Sequence, residues 1–183
     1  SDTKQLDHVL EISKAFELGE ILVTEATLSK REFMDKLKES KVKVVAIKTG
    51  QQLPIFGSGL EVIATQNKDK SDSITMYGKL LNQTFLVTGN IEEKFLTSYY
   101  PRLQADVVIT HQQVSNKKTD IEIFKTVHPK ITVISIDKKK SFKVKNGENK
   151  QEDKELENLV LKTDKKGAIR FKGWTTWNVE TVQ

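Results

Sequence analysis

Three histidines, His8, His111 and His128, are the only imidazoles in this 183-residue chain, and it contains no cysteine. Thiolate metal sites, disulfides and cysteine nucleophiles are therefore excluded. A dinuclear hydrolytic centre, in which two divalent cations activate a shared water against a phosphodiester, takes roughly five or six imidazole and carboxylate ligands. Three histidines fall short of that set unless carboxylates replace the rest. Asp7 and His8 form an adjacent acid–imidazole pair with no third partner close in sequence, and they read as polar positions on a helix. His128, before Pro129, reads as a helix-end residue, where the macrodipole favours a cation. His111 reads as a loop residue.

The other chemistry on offer is cationic. Thirty basic residues against 25 acidic ones give a formal charge of +5, and 27 of the 30 are lysine, with arginine at Arg31, Arg102 and Arg170. Lysine is a hydrated point charge, poorly suited to bidentate reading of base edges. Nucleic-acid contact through such residues would fall on phosphates and be weakly specific. Lys138, Lys139, Lys140, Lys143 and Lys145 are the densest run. They read first as a solvated loop and second as a phosphate-binding segment. Trp174 and Trp177 read as packing anchors rather than a base-stacking platform, because they sit among strand residues without clustered aromatic companions.

The elements that must position these groups follow from periodicity. Leu6, Val9, Leu10, Ile12 and Phe16 recur at helical spacing up to Gly19, and Glu20 to Thr24 is a β-branched strand. Ser29-Lys30-Arg31-Glu32 has the pattern of a capping box, which predicts a second helix to about Ser40. Lys43 to Ile47, Gln52 to Phe56, Leu60 to Ala64, Ser73 to Lys79 and Thr84 to Thr88 predict strands, the last four as an antiparallel meander. Helix and strand then alternate: a helix through Ile91, Phe95 and Tyr99, a strand at Asp106 to Ile109, a helix from Thr119 to Val127, and a strand at Ile131 to Ile136 buried on both faces. Lys138 to Glu157 is a polar surface loop, and Ala168 to Phe171 and Trp177 to Val182 close the chain as strands. The fold class is α/β with a mixed sheet and flanking helices, in a single domain over residues 1–183. The longest apolar runs fall far short of the ~20 residues that cross a bilayer. The opening Ser1-Asp2-Thr3-Lys4 has no signal-peptide pattern and reads as the start of an excised piece.

Three stretches carry a family resemblance. Phe85-Leu86-Val87-Thr88-Gly89-Asn90 with Ile91-Glu92-Glu93, then Tyr100-Pro101-Arg102-Leu103-Gln104-Ala105-Asp106-Val107-Val108, and Thr163-Asp164-Lys165-Lys166-Gly167-Ala168-Ile169-Arg170-Phe171-Lys172-Gly173-Trp174 resemble the C-terminal part of the ComEC competence proteins. Those are the DNA-internalisation channels of naturally transformable bacteria, here in the form of streptococci and lactic acid bacteria. Leu53-Pro54-Ile55-Phe56, Leu60-Glu61-Val62 and Tyr77-Gly78-Lys79-Leu80-Leu81-Asn82 fall in the family's order, so the resemblance spans nearly the whole chain. It implies the second half of a metallo-β-lactamase-like αββα sandwich, a soluble domain of a cell-membrane protein, and a Zn or Mn centre in active relatives. A half-sandwich exposes an apolar sheet face, so a homo-oligomer is expected.

The family's metal positions map onto this chain as follows. Asp7 and His8 retain at best the end of the first motif. The Thr-Gly-Asp carboxylate that bridges the metals is replaced by Asn90 in Thr88-Gly89-Asn90. Gly-His-His-Gly-Ser falls on His111-Gln112-Gln113-Val114-Ser115, with Gln112 and Gln113 in place of both imidazoles. Amide oxygens are weak, uncharged ligands that do not replace a bridging carboxylate or a zinc-binding imidazole. The resemblance therefore implies a catalytically silent domain of a DNA-uptake protein, with no catalytic residue, no metal and no cofactor, and DNA phosphates as the expected partner. A metal-dependent nuclease-like hydrolase and a structural or oligomerisation module without ligand are the competing readings.

Overall fold

A computed structural model describes residues 2–38, 40, 42–55, 58–68, 71–80, 82–89, 103–111, 127–136, 160–172 and 178–182. The first layer is helical. Helix α1 (Asp2–Ala15), strand β1 (Glu20–Thr24), helices α2 (Glu25–Leu28) and α3 (Arg31–Lys38) and strand β2 (Lys43–Ile47) follow in order. Strands β1 and β2 pair in parallel from Glu20 opposite Lys43 to Thr24 opposite Ile47, a geometry that α2 and α3 permit by carrying the chain back. Leu6, Val23, Phe33 and Leu37 are buried together, with Leu10, Ile21, Leu28 and Val44 packed against them. The spacing of Phe33, Met34 and Leu37 predicts all three as the buried stripe of this helix; Phe33 and Leu37, one turn apart on α3, are buried, whereas Met34 is exposed. Exposed ion pairs Lys36–Asp7 (2.7 Å) and Lys43–Glu20 tie the outer surface of the same unit.

The capping box expected at Ser29 does not form as such. Ser29 is the C-cap of α2, its hydroxyl donating to the Ala26 carbonyl at 2.8 Å. The side-chain cap lies earlier, at Thr24, whose Oγ1 accepts from the Thr27 N–H at 3.1 Å with both threonines buried. The short helix α2 takes Ser29 as its C-cap, while Arg31 and Glu32 open α3.

Seven strands then form one sheet in sequential order: β3 (Gln52–Ile55), β4 (Ser58–Lys68), β5 (Ser71–Leu80), β6 (Gln83–Val87), β7 (Val107–His111), β8 (Ile131–Ser135) and β9 (Val160–Lys162). Strands β3 to β6 pair antiparallel and β6 to β9 pair parallel, so the sheet is mixed, as the sequence predicts. Strands β4 and β5 run longer than expected. A bulge between Val62 and Ala64 explains three consecutive buried residues. Val62 joins Ile47 and Leu53 on one face, while Ile63 and Ala64 join Leu86 and Val108 on the other. Leu103, Ala105 and Val127 cover that second face, and the Tyr77 hydroxyl donates to the Gln104 carbonyl at 2.8 Å. Strand β8 is buried at Thr132, Val133 and Ile134, in keeping with a central parallel strand.

A one-turn helix α4 (Thr163–Lys166) and the antiparallel hairpin β10 (Ala168–Lys172) and β11 (Asn178–Val182) complete the described chain. Phe171 meets Phe85 edge to face, centroids 6.3 Å apart, anchoring the hairpin to the sheet. The expected helices through Ile91 to Tyr99 and Thr119 to Thr126, the loop from Lys138 to Glu157, and Trp174 and Trp177 lie outside the described residues. Val127 is helical, and His128 follows with φ of 50°, the left-handed turn of a helix end, before Pro129. No helix among the described residues is long and apolar enough to cross a membrane.

Candidate functional site

In α/β sheets, ligands gather beyond the carboxyl ends of the parallel strands. Here that edge is formed in order by Thr88-Gly89 after β6, His111 at the end of β7, Ser135-Ile136 at the end of β8, and Thr163-Asp164 after β9. His111 is the last residue of β7, in register with Ser135, and so is a strand residue rather than the loop residue expected from sequence.

The Thr88-Gly89 turn is held tightly. Thr88 is buried, and its N–H donates to the Ile109 carbonyl at 2.9 Å, extending the parallel pairing one residue past β6. Gly89 lies against β5. A Cβ there would stand far inside contact distance of Ser73 Oγ and 2.7 Å from the Ile74 carbonyl oxygen. The glycine is thus required by the close approach of two backbones. Asn90, next in sequence, lies outside the described residues, as do Gln112 and Gln113.

At the other end of the edge, Thr163 stitches two strand ends together. Its Oγ1 accepts from the Ile136 N–H at 2.9 Å and donates to the Ile136 carbonyl at 3.3 Å. Beside it, Asp164 keeps Oδ1 buried with no hydrogen-bond partner. Sequence reading passed over this carboxylate because it sits within a lysine-rich turn.

Asp7 and His8 are exposed on α1, with Asp7 Oδ1 2.7 Å from Lys36 Nζ. Asp7 thus sits in a surface ion pair. Among the described residues, no group of three or more histidine, cysteine, aspartate or glutamate side chains could hold a metal ion. Lys138, Lys139, Lys140, Lys143 and Lys145 lie outside the described residues.

The strongest electrostatic feature lies at the opposite edge. Asp106 Oδ2 accepts from the Thr84 N–H (2.9 Å) and hydroxyl (2.8 Å), and Oδ1 pairs with Lys130 Nζ at 2.7 Å. The Lys130 ammonium foremost, then the Thr84 N–H, holds the Asp106 carboxyl at about 2, against an ordinary 3.8. Burial foremost, and the Asp106 charge second, raise the Tyr77 hydroxyl above its ordinary value. These groups join the starts of β6, β7 and β8 and face away from the carboxyl edge, so they serve the scaffold.

No family profile matches the chain. No curated protein matches it in sequence. Solved structures resemble it in part. A CmlA beta-hydroxylase variant superposes with a TM-score of 0.48 at 11% identity, over 63% of this chain and 31% of that one. A protein described as a Zn-dependent hydrolase of the metallo-β-lactamase superfamily, from Thermotoga maritima, gives 0.39 at 12% identity, over 52% of this chain and 51% of that one. The chain therefore spans about a third and about half of the length of these two proteins. Its own architecture is α/β, with one large mixed sheet and few helices.

Proposed function

We propose that this chain is the metallo-β-lactamase-like part of a ComEC-type competence protein, and that it handles DNA during uptake without hydrolysing it. The observation that carries this reading is the Thr88-Gly89 turn. The backbone contact that demands glycine is kept, while the next residue, which would have to bridge two cations, is the amide Asn90. Gln112 and Gln113 offer two further neutral amides in place of imidazoles. This donor set does not fit a pair of divalent transition cations, which prefer charged oxygen and imidazole ligands. What remains is a sheet edge in a lysine-rich protein, suited to weak, sequence-independent phosphate contact.

The test is thermal. A metal bound by the native state alone raises the melting temperature. Saturating Mn²⁺ or Zn²⁺ is expected to leave it unchanged and to produce no cleavage of single-stranded DNA. A rise of several degrees together with cleavage, both lost in Asn90→Ala, would establish the nuclease-like hydrolase instead.

A self-associating structural module is the second reading. It is favoured by Ile12 on α1 and Phe16 just past its end, the Phe16 N–H donating to the Ile12 carbonyl at 2.9 Å, which are 50% and 68% exposed. Sedimentation velocity distinguishes it. Association that is weakened by Ile12→Ser with Phe16→Ser, in a chain with no DNA affinity, would support the module.

A further inference from the structure

Residues 160–183 carry five basic side chains, Lys162, Lys165, Lys166, Arg170 and Lys172, against Asp164 and Glu180, a net +3 in a chain whose formal charge is +5. The fold shapes this excess. Helix α4 ends as the Gly167 N–H donates to the Thr163 carbonyl at 3.0 Å, and Gly167, with φ of 71°, swings the chain back into β10. Lys165 and Lys166 are exposed at this turn. Along β10, Ile169 and Phe171 are half-buried, Phe171 against Phe85, while Ala168, Arg170 and Lys172 are exposed. Glu180 pairs with Lys172 at 3.2 Å. Lys162, Lys165 and Lys166 form no ion pair among the described residues, and neither does Arg170, although Glu180 stands opposite it in register.

We propose that this ridge, from Lys162 through the α4 turn to Arg170, is a binding surface for the phosphate backbone of single-stranded nucleic acid. The inference rests on the reading of the chain as a DNA-handling domain. Three features favour this ligand. Lys165 and Lys166 are exposed side by side at the α4 turn and Arg170 stands on the outward side of β10, so the ridge offers cations in succession to an extended polyanion. Unpaired ammonium groups gain by displacing the counterions of such a chain. The exposed large apolar side chains among the described residues, Ile12, Phe16, Leu22 and Met34, all lie in the N-terminal unit, so the described ridge offers charge rather than apolar surface.

The experiment is fluorescence anisotropy of a labelled oligothymidylate titrated with the whole chain at several salt concentrations. Lys165→Glu with Lys166→Glu is expected to weaken binding at least tenfold and to flatten the plot of log K against log salt by about one to two. The matched reversal Lys14→Glu with Lys79→Glu, on α1 and β5, should stay within about threefold of the wild type. If the double variant melts early, Arg170→Gln on the outward side of β10 tests the same surface and should weaken binding about threefold. Retained affinity in both ridge variants, with loss in Lys138→Glu, Lys139→Glu, Lys140→Glu, would overturn the ridge while leaving DNA handling intact. A wild type that binds no single strand even at low salt would remove both. Tight binding to phosphatidylserine vesicles without DNA affinity would also overturn the ridge.

Discussion

Thr84 and Asp106 satisfy each other twice over. Asp106 Oδ2 accepts from the Thr84 N–H and hydroxyl, while the Asp106 N–H donates back to Thr84 Oγ1 at 2.9 Å. The Asp106 carbonyl then accepts from the N–H groups of Lys130 and Ile131. One residue thereby fixes where three adjacent strands begin. Because these strands set the position of the carboxyl edge opposite, the candidate site depends on a junction that takes no part in its chemistry.

That junction has a pH signature. With its carboxyl held at about 2, Asp106 binds its proton less readily in the folded chain than in the unfolded one. The stability it contributes is complete above about pH 4 and is lost as pH falls toward 2. Its carboxylate is 23% exposed, so solvent screening reduces the contribution to about 1–2 kcal/mol. Urea unfolding of Asp106→Asn should show this deficit at pH 7 and converge on the wild type near pH 2. A deficit independent of pH would mean that the charge is irrelevant.

Gly89→Ala is expected to cost about 2–3 kcal/mol, because the added methyl meets Ser73 Oγ and the backbone of Ile74, neither of which can move freely. Gly19→Ala is the control. No atom lies within 4 Å of its added Cβ, so it should be neutral or slightly stabilising. Chemical denaturation of the pair checks the difference. Equal stability would show that the turn after β6 has room to spare.

These positions show what was legible in the sequence and what was not. The unbroken apolar runs Phe85-Leu86-Val87 and Val107-Val108-Ile109 mark strands correctly, since neighbouring residues point to opposite faces and both faces are covered. Strand β4 runs past the expected end at Ala64 because Thr65 to Lys68, though polar, pair with β5. Strand β9, with three residues, is too short to show a period. Thr88-Gly89-Asn90 stands out as a motif, but the reason for its glycine lies in Ser73 and Ile74 on a neighbouring strand. The Thr84–Asp106 pair spans 22 residues of sequence, and no local rule connects the two.

Thr75 offers a test of opposite sign. It is 1% exposed, and its Oγ1 has no hydrogen-bond partner. A buried hydroxyl that gives up water without replacement costs about 1–3 kcal/mol. Thr75→Val keeps the shape and β-branching and removes that cost. It should stabilise the chain by about 1 kcal/mol, read as a higher urea midpoint at unchanged m value. A loss of stability would show that the hydroxyl has a partner in solution.

The first helical unit poses a choice between two hydroxyls. The sequence pattern places the helix cap at Ser29, whereas the structure places it at Thr24, buried and accepting from the Thr27 N–H. Ser29 is also bonded, but its hydroxyl is the donor and its acceptor, the Ala26 carbonyl, is exposed and can turn to water. Removing a cap acceptor leaves a helix N–H unsatisfied, and here that group is buried with Val23, Phe33 and Leu37 close by in sequence. Thr24→Ala should therefore cost about 1–2 kcal/mol, while Ser29→Ala should stay within about 0.5 kcal/mol. The reverse order in thermal melts would restore the capping box to Ser29 and move the start of α3 one residue earlier.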